Sequence, residues 1–107
     1  MRIEALQYRT EDKQDIIIVV DFYGTFPKIV WRIADIKYKT SRERKYRYFS
    51  KTFCEDWDYH KLNREERIAY TMRKYEEFVG RDKIEEAVLK AWELLKPNLN
   101  EIDAANV

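Results

Sequence analysis

The segment from Lys37 to Lys51 is the part of the sequence whose residue types most clearly indicate a binding chemistry. Its one acidic residue is Glu43, and its basic residues alternate with aromatic ones. The basic residues are Lys37, Lys39, Arg42, Arg44, Lys45, Arg47 and Lys51, and the aromatic residues are Tyr38, Tyr46, Tyr48 and Phe49. Lysine and arginine attract phosphates and acidic protein surfaces, while aromatic rings stack on bases or anchor interfaces. The segment predicts a surface that binds an acidic protein or nucleic acid; the alternative is a solvated, charge-protected sheet edge.

The acidic loop that follows has residues that could hold a divalent cation. In an extended chain, Asp56, Asp58 and His60 would project to the same side, and carboxylates with an imidazole can bind metal. No second cluster of ligand residues supports such a site, so we expect a solvated loop and no metal. Trp57 and Tyr59 lie among these charges. Either both rings tuck against the sheet, or they contribute to partner binding, because exposed Trp and Tyr dominate interface hot spots.

Residues needed for most enzymatic mechanisms are scarce. The two glycines, Gly24 and Gly80, both lie in predicted turns, which excludes glycine-rich phosphate loops of the P-loop or Rossmann type. The one histidine, His60, follows the one cysteine, Cys54, within the same loop. That spacing is not known from catalytic Cys–His pairs. We therefore expect a protein without enzymatic activity and without a cofactor.

Length and charge indicate one domain that binds through local charge. The chain has 107 residues, with 21 basic and 20 acidic side chains and a net charge of +1. Such a chain does not bind nucleic acid or membranes by bulk charge. A lone cysteine fits a reducing compartment, and no window is typical of a signal peptide or membrane span. We expect a cytoplasmic protein with one domain over residues 1–97 and a tail over residues 98–107.

The β-branched run over residues 16–20 indicates the strand around which the fold is built. Alternation puts Ile16, Ile18, Val20 and Phe22 on one wholly apolar face. Further strands are predicted over residues 1–9, 28–38 and 45–53, the last as an edge strand. A β-bulge near Ala34 would bring the apolar residues of the third strand to one side. We expect Trp31 and Trp92 in the core.

The second half of the sequence predicts a helical hairpin. Asn63 and Glu66 fit a capping box, as do Asp82 and Glu85, and Gly80 separates the two helices. The predicted inward faces are Ile68, Met72, Tyr75 and Val79 in the first helix, and Ile84, Val88, Ala91 and Leu95 in the second. The chain is therefore predicted to be an α+β protein. A four-stranded antiparallel meander precedes a C-terminal helical hairpin packed on one face of the sheet.

In composition the chain resembles small accessory proteins of phages and mobile elements from low-GC Gram-positive bacteria. This resemblance implies a protein that binds and blocks a host nucleic-acid enzyme, as anti-CRISPR and other anti-defence inhibitors do. With the basic segment, it predicts a non-enzymatic protein-binding module, either a monomer or a homodimer formed through an edge strand. The predicted partner-binding residues are Lys39, Arg42, Arg44, Lys45, Tyr46, Arg47, Tyr48, Trp57 and Tyr59. The alternative is a nucleic-acid-binding protein that uses the same hairpin.

Overall fold

A four-stranded sheet with two long helices forms the structure, a computed structural model that describes residues 1–98. The strands are β1 (Arg2–Arg9), β2 (Gln14–Tyr23), β3 (Val30–Thr40) and β4 (Arg47–Tyr48). The helices are α1 (Trp57–His60), α2 (Arg64–Val79) and α3 (Arg81–Leu95), with 3₁₀ turns at Phe49–Thr52 and Lys96–Asn98. Sheet order is β1-β2-β3-β4, and all neighbours are antiparallel. The predicted α+β meander with C-terminal helices is confirmed, while the predicted tail beyond Asn98 lies outside the described residues.

The apolar face of β2 is the centre of the core. Its four predicted members, Ile16, Ile18, Val20 and Phe22, are all buried. Helix α3 packs mainly on β1 and β2 and buries Ile84, Ala87, Ala91 and Leu95. Trp92 lies against Phe22, with 6.0 Å between the ring centroids, whereas Val88 is half-buried. The predicted inward face of the second helix is therefore correct to within one residue, since Ala87 takes the deeper position.

Two β-bulges keep the apolar residues of the outer strands on the core side. Ala34 is the extra residue in β3, so that Ile33 and Ile36 are both buried on the same face. This confirms the predicted bulge. A second register shift, at Ala5 in β1, was not predicted. It accounts for the imperfect alternation of apolar residues in that strand, because an extra residue reverses the facing of those that follow.

On the opposite face of the sheet, charged side chains from the described residues lie over part of β2. Ile17 and Val19 of β2 are buried on this face. Glu4 on β1 pairs with Val19, and Lys37 on β3 pairs with Ile17. Their side chains form a salt bridge of 2.8 Å that crosses β2. The methylene stems of such residues can cover apolar surface while their charges stay in water.

The fourth strand is shorter than predicted. Pairing with β3 covers Arg47 and Tyr48, after which the chain turns into a 3₁₀ helix. Phe53 follows that turn and is only 2% exposed. The sequence from residue 49 therefore leaves the sheet edge and enters the core, because its phenylalanine rings are buried better against the helices than in a solvated edge strand.

The helix boundaries follow one of the two predicted capping boxes. The Asn63 side chain accepts a hydrogen bond from the backbone N–H of Glu66. The Glu66 carboxylate accepts one from the backbone N–H of Asn63, so the first capping box is confirmed. The second box, Asp82 with Glu85, is wrong because α3 begins directly after Gly80 without a side-chain cap. Gly80 has a φ of 89°, a value that favours glycine, and it lets the two helices follow each other with no connecting loop.

Two residues predicted to be buried are exposed. Trp31 on β3 is 42% exposed, because α3 packs mainly on β1 and β2 and does not cover this part of the sheet. Ile68, near the start of α2, is 63% exposed and lines a cavity. The inward stripe of α2 is therefore limited to its C-terminal part, where Tyr75 is buried.

Candidate functional site

The basic hairpin surface (residues 37–51) has one acidic residue, Glu43, which fixes the conformation of the connector between β3 and β4. Glu43 accepts a hydrogen bond of 3.2 Å from the backbone N–H of Thr40 and forms an ion pair of 2.7 Å with Arg47. Hydrogen bonds from the backbone N–H and then from the side chain of Thr40, followed by Arg47, lower the pKa of Glu43. Lys39 donates to the backbone carbonyl of Glu43 at 3.2 Å. The connector between β3 and β4 thus has a defined conformation held by one carboxylate.

The lysines of β3 are held by acids on the neighbouring strands. Lys39 forms an ion pair of 3.3 Å with Asp15 on β2, which also pairs with Arg9 on β1 at 2.7 Å. The hydrogen bond from Arg9, and then the one from Lys39, lowers the pKa of Asp15. Lys37 is engaged by Glu4 in the bridge across β2. These two lysines belong to the scaffold of the sheet, and their charge is largely compensated there.

The tip of the hairpin carries the uncompensated charge. Arg42, Arg44 and Lys45 are exposed, and none of them forms an ion pair with any residue in the described part of the chain. They lie within four consecutive positions of a connector that Glu43 already fixes. Charges so close together in water sum into a local positive potential that extends over about a Debye length, roughly 10 Å at 0.1 M salt.

The tyrosines of the hairpin are partly covered by cations. The ammonium of Lys39 lies 5.4 Å from the ring centroid of Tyr46. Lys37 and Lys51 lie 5.8 Å and 5.9 Å from the ring centroid of Tyr48, which is 44% exposed. Such cation–π contacts orient the rings and occupy part of their faces. Tyr48 is therefore the hairpin ring that is most available to a partner.

The two aromatic residues of the acidic loop are in different environments. Trp57 begins α1 and is 73% exposed, with the ammonium of Lys61 5.5 Å from its ring. Tyr59 is half-buried, and its ring centroid is 6.0 Å from that of Phe53 and 6.0 Å from that of Tyr70. Of this pair, Trp57 presents its ring to solvent, whereas Tyr59 is built into the aromatic packing around α2.

The acidic loop is helical where the metal hypothesis assumed an extended chain. Trp57–His60 forms α1, so Asp56, Asp58 and His60 do not alternate along a strand. Within residues 1–98, no three or more His, Cys, Asp or Glu side chains are grouped so that they could hold a metal ion. Burial raises the pKa of the Cys54 thiol, which lowers its thiolate fraction at neutral pH.

An aromatic cluster that the sequence pattern did not reveal attaches the hairpin to α2. Its members are Tyr38, Phe49, Phe53, Tyr59, Tyr70, Tyr75 and Phe78. Phe49, directly after β4, stacks on Phe78 of α2 with a centroid distance of 4.1 Å. Asp35 of β3 accepts hydrogen bonds from the backbone N–H and the hydroxyl of Ser50. The spacing of Phe49 and Phe53, four residues apart as in a helical turn, was the sequence signal that could have indicated this cluster.

Comparison of the chain with protein-family models, with curated proteins and with solved structures finds no match. In the part of the chain that the structure describes, every helix is too short or too polar to traverse a lipid bilayer. The charges, exposure and contacts of the basic hairpin surface are therefore the basis on which a function can be inferred.

Proposed function

We propose that the protein is a small non-enzymatic binding module whose basic hairpin surface contacts an acidic surface of a partner protein. The main support is that some cations of the hairpin are held in ion pairs while others are not. Lys39 and Arg47 are held in ion pairs that fix the hairpin. The exposed cations at the tip have no such partner among the described residues. A rigid base with a free positive tip favours rapid encounter with an acidic patch and a fixed binding geometry.

A protein partner is favoured over nucleic acid because of the hairpin rings. Base stacking needs open aromatic faces, whereas the rings of Tyr46 and Tyr48 already contact lysine ammonium groups. Tyr48 and the exposed Trp57 still offer edges and apolar area of the kind that anchors protein interfaces. The resemblance in composition to phage accessory proteins suggests inhibition of a host nucleic-acid enzyme as the biological role.

Direct nucleic-acid binding is the second candidate function, and the tip charges are the observation that favours it. Arg42, Arg44 and Lys45 could each neutralise a phosphate. Binding to DNA would then weaken with salt at a logarithmic slope of about −0.7 per neutralised phosphate on a single strand. A slope near −2 would fit engagement of the whole tip.

The two functions are separated by comparing an acidic peptide with single-stranded DNA of equal charge in fluorescence anisotropy titrations. We expect the peptide to bind more tightly and the double variant Arg42→Glu with Arg44→Glu to lose at least tenfold in affinity. Lys28→Glu with Lys90→Glu, which makes the same charge change elsewhere, is the control and should retain most of the affinity. Both double variants should remain folded, because all four side chains are exposed.

Equal affinity of the tip variant and the wild type for the acidic peptide would refute the proposed surface. Tighter binding of DNA than of the peptide, with a logarithmic salt slope of about −2, would replace the first function by the second. Equal losses in the tip variant and the control would mean that overall charge, and not the hairpin, governs binding.

A further inference from the structure

A cavity of about 500 Å³ lies away from the basic hairpin surface, between β3 and the N-terminal half of α2. None of the residues that line it belongs to residues 37–51. Its volume falls in the range of about 300–1,000 Å³ that is common for small-molecule sites. Four arginines line it, namely Arg2, Arg32, Arg64 and Arg67. They come from β1, β3 and two turns of α2, so the fold brings them together around one concave site.

The positive charge of this cavity is largely uncompensated. No acidic side chain among residues 1–98 lines it. Arg2 and Arg64 form no ion pair with a described residue. The guanidinium of Arg67 donates hydrogen bonds to two backbone carbonyls of α1, at 3.3 Å and 3.0 Å. Arg32 alone has a carboxylate, that of Asp21 at 3.0 Å, which also pairs with the chain N-terminus. Guanidinium groups that face one cavity repel one another until an anion occupies it.

The rest of the lining is suited to an uncharged ring. Ile68 and Met72 of α2 supply apolar surface, and Ile68 as a whole residue is 63% exposed. Tyr59 and Tyr75 add aromatic surface, and the guanidinium of Arg67 lies 5.2 Å from the Tyr59 ring centroid. One side of the ligand would therefore meet cations and another would meet apolar and aromatic side chains.

We propose that this cavity binds a phosphate-bearing small molecule the size of a mononucleotide. Its phosphate is held by Arg2 and Arg64, while Arg67, engaged by the α1 carbonyls, adds positive charge. The ring of the ligand packs on Ile68 and Met72. Arginine suits this role because its planar fork donates two parallel hydrogen bonds to phosphate. A doubly charged phosphate also matches several guanidinium groups that line one cavity better than a single carboxylate does. An acidic peptide is the competing occupant.

Isothermal titration of the full chain with adenosine monophosphate, adenosine, inorganic phosphate and a hexaglutamate peptide tests this assignment. We expect the nucleotide to bind at least tenfold more tightly than inorganic phosphate and adenosine to bind without measurable heat. Arg64→Gln should weaken nucleotide binding at least tenfold, and Arg64→Lys should weaken it less, since it keeps the charge. Arg73→Gln, at an exposed arginine of α2 that does not line the cavity, is the matched control and should leave nucleotide affinity unchanged.

Several outcomes would overturn the proposal. These are no heat with the nucleotide at millimolar concentration, equal affinity for adenosine and its monophosphate, equal affinity for the monophosphate and inorganic phosphate, or tighter binding of hexaglutamate. Arg64 is exposed and unpaired among the described residues, so its variants should unfold at the wild-type temperature. If Arg64→Gln is folded and still binds the nucleotide normally, the arginines of α2 do not form the site.

Discussion

Leu95 and Leu89 offer a direct test of how α3 packs on the sheet. Both leucines belong to the same helix, but Leu95 is 0% exposed and Leu89 is 67% exposed. Replacing each by alanine removes the same three carbon atoms and changes helix propensity by the same small amount. The difference between the two variants in the free energy of unfolding therefore reports mainly burial and the packing around each side chain.

The magnitudes follow from the exposed fractions. Three carbons at about 0.8 kcal/mol each give a transfer term of about 2.4 kcal/mol for the fully buried Leu95. The cavity left behind brings the cost of Leu95→Ala to about 3–5 kcal/mol. Leu89 is about one-third buried, so Leu89→Ala should cost about 0.8 kcal/mol or less. The two variants should thus differ by at least about 2 kcal/mol.

Urea denaturation followed by circular dichroism measures this difference. In a domain of this size, about 2 kcal/mol corresponds to at least about 8 °C in the melting temperature, which provides a second readout. Equal m-values for the two variants would show that the unfolded states are comparable. If Leu89→Ala destabilised the protein as much as Leu95→Ala, the assignment of the inward face of α3 would be wrong.

Two further substitutions test the turns and the sheet electrostatics. Gly24 has a φ of 96°, and a Cβ there would clash with the carbonyl oxygen of Lys28. Gly24→Ala should therefore cost about 2–5 kcal/mol. Gly80 has a similar φ of 89° with nothing within 4 Å, so Gly80→Ala should cost less in urea denaturation, and the reverse order would contradict the steric argument. Because Arg9 lowers the pKa of Asp15, its ion pair contributes stability above the unfolded value of about 3.9, and this is lost as pH falls through the lower folded pKa. Asp15→Asn should therefore be less stable at neutral pH and lose less stability between pH 5 and pH 2, and parallel profiles for variant and wild type would refute this.

Local signals in the sequence were sufficient for most of the fold. The β-branched run over residues 16–20 indicated the central strand because those side chains favour extended backbone wherever they lie. Asn63 indicated the start of α2 because a capping box needs partners only three residues apart. The bulge at Ala34 was readable because it reverses the alternation on either side of it. Each of these signals depends on near neighbours along the chain.

The candidate site was predictable only in part. The sequence located the basic segment, but not which of its cations are free. Lys37 is bound by Glu4, 33 residues earlier, and Lys39 is bound by Asp15. The register between β2 and β3 makes these pairs, and it is fixed by the turn at Gly24 and by the bulge in β3. Counting charges in a window could not separate these lysines from the free cations at the tip.

The arginine cavity was decided by tertiary structure alone. Arg2, Arg32, Arg64 and Arg67 lie on three separate elements and form no pattern along the chain. Hydrophobic burial places α3 on β1 and β2, and the aromatic cluster docks α2 beside β3. The composition and local periodicity of the sequence determine which elements form and which face of each is apolar. Where the polar faces meet depends on how those apolar faces pack, because the hydrophobic effect is non-directional and shape complementarity selects the arrangement.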